Sequence, residues 1–84
     1  MGYRVELEPR AVRGFETISS RDRRRVAERL KSLEVKPRPA GCRKLKAIPG
    51  LRLSVGDYRI LYTVNDENHT VTVWRIGHRR DVYR

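Results

Sequence analysis

The stretch GHRRDVYR, residues 77–84, sets Arg79, Arg80 and Arg84 beside His78 and Tyr83. These residue types suit work on phosphate esters. A guanidinium is planar, stays charged and meets two phosphate oxygens at once. An imidazole changes charge near neutral pH and can move a proton. A phenol ring can stack on a base. A second basic run lies upstream. Between Lys36 and Val64 stand Lys36, Arg38, Arg43, Lys44, Lys46, Arg52 and Arg59, against the single acid Asp57. A one-signed strand region followed by a basic, aromatic-bearing tail is the footprint of a protein that binds nucleic acid.

The whole composition agrees. Twenty Lys+Arg against ten Asp+Glu give a net charge of +10 over 84 residues. A field this strong repels itself and calls for a polyanion or an acidic protein as counterweight. Sixteen of the basic residues are arginine and four are lysine, which favours two-point phosphate recognition over simple solubility. Cys42 is the only cysteine, which excludes an internal disulfide and a cysteine-based zinc site. No apolar run is long enough to span a bilayer, and the start does not read as a signal peptide. The expectation is one cytoplasmic domain over residues 1–84, with no cofactor, no metal and no membrane partner.

The elements that must hold these side chains follow from periodicity. YRVELEP (3–9) alternates, with Tyr3, Val5 and Leu7 on one side, and reads as a half-buried strand ended by Pro9. Pro9 also suits the first turn of a helix, and Ala11, Val12, Phe15 and Ile18 follow at helical spacing, so a first helix is expected near 9–18. Ser19 with Asp22 reads as a cap for a second helix running to about Glu34, with Val26, Ala27, Leu30 and Leu33 as its apolar stripe. So short a connection makes the two helices an antiparallel hairpin. KPRPAG (36–41) is a loop, and CRKLKAIPG can supply a short strand. LRLSVG (51–56), DYRILYTV (57–64) and TVTVWRIG (70–77) are strands, with NDENH as a turn. The expected fold is α+β: an N-terminal strand, a helical hairpin, then a meander of three or four antiparallel strands. The hairpin covers one sheet face and leaves the other free to carry a site.

Plainer roles are expected for several residues. Arg23, Arg24 and Arg25 read as a solvated helix face, Arg75 as an edge cap, and His69 as an inert turn residue. Tyr3, Tyr58, Tyr62 and Trp74 sit on alternating strand positions among apolar neighbours and read as core.

GCRKLKAIPGLRLSVGDYRILYTV followed by VTVWRIGHRRDVYR resembles the RelE/ParE superfamily of toxins from toxin–antitoxin pairs. The opening strand and the helical hairpin with RVAERLKSL extend the likeness over nearly the whole chain. VGDYRILY and GHRRDVY are its most specific pieces, and the GHRRDVY ending places it nearer RelE than ParE. The resemblance implies an endoribonuclease that cuts messenger RNA in the ribosomal A site. It also implies an antitoxin, often acidic, that wraps the toxin, with operator DNA bound only through the toxin–antitoxin complex. Carried over position by position, it implies Arg52, Arg59 and Arg79 at the scissile phosphate and Tyr83 at a nucleotide. His78 stands where relatives hold a lysine or a histidine. Arg43, Lys44, Lys46, Arg80 and Arg84 would contact RNA. Two positions depart from the family: a strand lysine falls on Gly50 and a strand arginine on Ser54.

Metal-free RNA cleavage uses the ribose 2′-OH as nucleophile. It needs a base, charge stabilisation at phosphorus and an acid for the leaving oxygen. Arginine serves the second need and is a poor proton carrier. The base is His78, Lys44, Lys46 or no strong base, and the ribosome would then supply alignment. Two alternatives stand beside this reading. One is a ParE-like inhibitor of DNA gyrase; the other is a degenerate, non-toxic member that keeps antitoxin binding.

Overall fold

The computed structural model describes residues 2–83. β1 (Arg4–Leu7) leads directly into α1 (Pro9–Glu16), whose first position is the proline. α2 (Ser20–Ser32) begins at Ser19, where the hydroxyl accepts from the Asp22 amide at 3.4 Å. The Asp22 carboxylate takes the Ser19 hydroxyl at 3.4 Å, so the two residues close the cap on one another. Then come β2 (Arg43–Lys44), β3 (Leu51–Val55), β4 (Tyr58–Asn65) and β5 (Thr70–His78). The α+β architecture expected from the sequence is the one observed. The second helix stops two residues earlier than expected, and the CRKLKAIPG segment contributes only a two-residue strand.

The sheet order is β1-β5-β4-β3-β2. β2 to β5 form the antiparallel meander, and β1 pairs in parallel with β5 in the register Val5↔Val71. β1 and β5 are far apart in sequence, and the connection includes both helices, as parallel pairing requires.

One sheet face and the helices share the core. Ala11, Ile18, Val26, Leu30 and Leu33 pack with Leu53, Val55, Ile60, Tyr62, Val71, Val73 and Ile76. Burying each of the larger side chains stabilises by about 1.5–3 kcal/mol. Helix α1 lies against β5 so closely that a Cβ on Gly14 would fall 1.9 Å from the Ile76 carbonyl oxygen. Only glycine fits that crossing.

Tyr62 is core, as expected, and its hydroxyl donates to the Pro37 carbonyl at 2.8 Å. Burial pushes its pKa up. Tyr3 and Tyr58 pack at the core margin. Trp74 departs from expectation: it is half-buried and lies outside the core cluster, because Val71 and Val73 face the helices and alternation turns Trp74 the other way. A β-bulge follows at this point. Tyr62 faces Val73 and Leu61 faces Arg75, so Trp74 has no partner across the ladder.

Candidate active site

The bulge and the alternation of β3 and β4 together decide what lines the second sheet face. Leu51, Leu53 and Val55 turn to the helices, so Arg52 and Ser54 turn away. Ile60 and Tyr62 turn to the helices, so Arg59 and Leu61 turn away. Arg52, Arg59 and Leu61, with Trp74, floor a cleft of about 1170 Å³. Arg43, Lys44, Leu45, Lys46, Ala47 and Ile48 form one wall, and Arg79, Arg80, Val82 and Tyr83 form the other. Arg10 reaches the rim from α1. Among the described residues, the lining holds eight cationic side chains and no carboxylate.

Three of these cations are placed by the local backbone. Arg52 stands between Arg43 on β2 and Leu61 on β4 in the ladder. Arg59 folds back on its own turn, with Nη1 donating to the carbonyls of Gly56 and Tyr58 at 3.0 Å each. Arg79 extends the β5 ladder by one residue, its amide donating to the Asp57 carbonyl at 2.8 Å. Its Nε also lies 3.7 Å from Asp57 Oδ1. The β3–β4 turn therefore fixes Arg59 and Arg79 together.

The wall after β5 is a tight turn. The amides of Asp81 and Val82 both donate to the His78 carbonyl, at 2.8 and 3.0 Å. Val82 is buried, and so is Leu61, yet neither belongs to the main core. Both line the cleft, so this face has a small apolar seat of its own, and Val82 ties the turn to it. Tyr83 remains 57% exposed at the mouth.

Outside the cleft, a side-chain cluster ties the loop before β2 to the turn between β4 and β5. Arg38 grips Asp66 with two hydrogen bonds, at 3.1 and 2.9 Å, and the Tyr3 hydroxyl donates to the same carboxylate at 2.7 Å. The Arg38 bond, then that of Tyr3, holds the Asp66 carboxyl below its ordinary range. The Leu45 amide donates to the Gly50 carbonyl at 3.0 Å and closes the loop that carries Lys46 and Ile48.

The structure brings eight of the ten sequence-predicted residues to one cleft: Arg43, Lys44, Lys46, Arg52, Arg59, Arg79, Arg80 and Tyr83. Arg84 lies outside the described residues. His78 points elsewhere. Its ring meets Tyr58 edge-on with centroids 5.7 Å apart, and its Nδ1 accepts from the Arg80 amide at 3.2 Å. It lines a smaller cleft of about 500 Å³ against α1, with Arg10, Arg13 and Arg75. Arg75 is no simple edge cap: its Nη2 donates to the Asp81 carbonyl at 3.2 Å, while its Nε is buried without a partner among the described residues. Burial, then the nearby Arg10 charge, draws its pKa below the ordinary arginine value.

Gly50 explains one departure from the family pattern. Its φ is +129°, and a Cβ there would lie 2.9 Å from the Tyr62 carbonyl oxygen. A lysine at this position would be strained in this backbone. Lys44 and Lys46 supply the amines of the cleft instead. Ser54, the other departure, is exposed and directly opposite Arg59 in the ladder. Sequence reasoning missed Arg10 and Trp74 as lining residues. For Trp74 a signal exists: if Val71 and Val73 face the core, a strand of period two sends Trp74 to the other face.

A family profile described as "ParE toxin of type II toxin-antitoxin system, parDE" matches residues 5–83. The chain therefore belongs to this toxin family, within the RelE/ParE superfamily. Toxin RelG of Mycobacterium tuberculosis is 52% identical over 29 residues, 34% of this chain and 33% of that protein, so the match spans about a third of that relative's length. The fold is similar to the toxin–antitoxin complex RelBE2 of Mycobacterium tuberculosis, with TM-score 0.83 and 28% identity over 94% of this chain and 100% of the other. It is also similar to the intact RelBE toxin–antitoxin complex of E. coli, with TM-score 0.77 and 26% identity over 90% and 95% of the two chains.

Proposed function

We propose that the chain is a ribosome-dependent messenger RNA endoribonuclease, inhibited by a cognate antitoxin. The observation that carries this reading is the convergence of Arg52, Arg59 and Arg79 with Tyr83 in one cleft whose described lining residues include no carboxylate. Such a cleft attracts a phosphodiester and stabilises the charge that builds on it.

In the proposed step the ribose 2′-oxygen attacks the adjacent phosphorus. The P–O5′ bond breaks, leaving a 2′,3′-cyclic phosphate and a 5′-hydroxyl. Arg52, Arg59 and Arg79 hold the non-bridging oxygens, and removing one such donor costs about 10²–10³ in rate. Tyr83 stacks on a nucleotide at the mouth. Lys44 and Lys46 are the proton carriers that line the cleft, since His78 faces the other side of the sheet. An amine surrounded by guanidinium groups is no strong acid–base pair, so the reading expects slow cutting of free RNA and rapid cutting once the ribosome aligns the codon.

The partner follows from the same charge. An acidic antitoxin segment would lie where the RNA lies and block it, and the toxin–antitoxin complexes among the similar structures support such a partner. A second reading, inhibition of DNA gyrase, is favoured by the description of the matching family profile.

The test is messenger RNA cleavage on programmed ribosomes, with 5′ ends mapped by primer extension. Cuts within the A-site codon that vanish with Arg79→Ala support the nuclease. Absence of cuts with both proteins, together with loss of gyrase supercoiling activity, would replace it by the gyrase reading.

A further inference from the structure

We propose that Trp74 forms a nucleobase subsite on the floor of the cleft, where one base of a single-stranded RNA lies against the indole. This deepens the RNA reading above and rests on it.

The bulge is the first observation. It gives β5 one extra residue against β4, and that residue is Trp74. Alternation after Val71 and Val73 sends Trp74 to the face away from the helices, and the bulge leaves it there without a partner across the ladder. The largest apolar side chain in the protein thus lies in a cationic cleft.

The surroundings are the second. Leu61 and Ile48 line the same cleft and give the indole apolar company without covering it, for Trp74 stays half-buried. The ring–ring contacts among the described residues are Tyr3 with His69 and Tyr58 with His78, so neither Trp74 nor Tyr83 is engaged by another ring. The indole N–H likewise makes no hydrogen bond to a described residue.

The third is the pairing of ring and charge. Proteins that hold single strands combine a cationic groove for the backbone with an aromatic platform for the bases. Arg52, Arg59 and Arg79 supply the groove, and Trp74 supplies a platform distinct from Tyr83 at the mouth.

Trp74 is the only tryptophan, so its emission reports on this site alone. The probes are a 2′-O-methyl RNA hexamer, which cannot be cut by 2′-OH attack, and an abasic strand of the same length and charge. Binding is followed by anisotropy of end-labelled strands and by tryptophan emission. The hexamer is expected to bind about tenfold more tightly than the abasic strand and to change the emission, which the abasic strand leaves unaltered. Trp74→Leu should bring the two affinities within about twofold, and Trp74→Phe should keep most of the preference. Thermal melts of both variants establish that they fold. Equal affinities for the two strands with wild-type protein and unchanged emission overturn the subsite and leave the cationic RNA cleft standing. Failure of both strands to bind at low salt overturns the RNA reading and the subsite with it.

Discussion

Arg43 and Arg52 are direct partners across the β2–β3 ladder. Like charges in this position destabilise a sheet, by roughly 0.2–1 kcal/mol for such a pair. β2 has only two residues, so the cost falls on the weakest strand of the sheet. Both side chains line the cleft, where their repulsion raises its attraction for an anion. Arg43→Thr should therefore raise the melting temperature slightly and weaken RNA binding. The slope of log affinity against log salt should flatten by about 0.7 if one phosphate contact is lost. A lower melting temperature would contradict the account of this pair.

Arg59 performs two tasks through one guanidinium. It donates to Gly56 and Tyr58 carbonyls and presents the rest of the group to the cleft. Lysine keeps the charge but has no rigid fork. Arg59→Lys should retain RNA affinity within a few-fold while ribosomal cleavage falls by about 10²–10³. Single-turnover cleavage on programmed ribosomes separates the two quantities.

Gly50 and Ser54 differ in what they allow. Gly50→Lys places a Cβ 2.9 Å from the Tyr62 carbonyl oxygen at a φ of +129° and should cost about 1–3 kcal/mol. Ser54→Arg lies on an exposed site opposite Arg59 and should stay within about 0.5 kcal/mol of wild type. Urea unfolding of the two variants checks both. If they lose stability equally, the backbone conformation at position 50 is not the cause.

The Arg38–Asp66–Tyr3 cluster predicts a pH dependence with a definite sign. Asp66 has its carboxyl pulled below the ordinary range by Arg38 and then Tyr3. The folded chain thus holds the proton more weakly than the unfolded chain. The stabilisation is fully present above the unfolded value of about 3.9 and disappears as the pH falls below it, through the lower folded value. Asp66→Asn should lower the melting temperature by a constant amount between about pH 5 and 8, and the gap should close towards pH 2. A gap that persists in acid would show that the cluster acts through shape and not through charge.

The sequence carried most of the secondary structure because its apolar residues alternate cleanly in β3 and recur at helical spacing in α2. It also brought Arg52, Arg59, Arg79 and Tyr83 forward, through a family pattern whose spacing survives in YR and GHRRDVY. Three things were out of its reach. The parallel pairing of Val5 with Val71 joins residues too distant for local periodicity to connect. Arg10 reaches the cleft rim from the helix side, so its role depends on how α1 crosses β5 at Gly14. The direction of His78 depends on the parity of β5, which a strictly alternating reading of TVTVWRIG cannot supply.

That parity has a consequence for length changes. Before the bulge, Val71 and Val73 face the helices; after it, Ile76 does, with His78 against Tyr58. The bulge takes up one added residue at Trp74, so Val73 and Ile76 share a face although three positions separate them. Deleting Trp74 would leave an unbroken alternation in which Val73 still faces Tyr62, Arg75 still faces Leu61, and Ile76 still faces the helices. Strand β5 thus behaves like a reading frame in three dimensions. The bulge is the place where that frame accepts one extra letter without inverting the chemistry of either face.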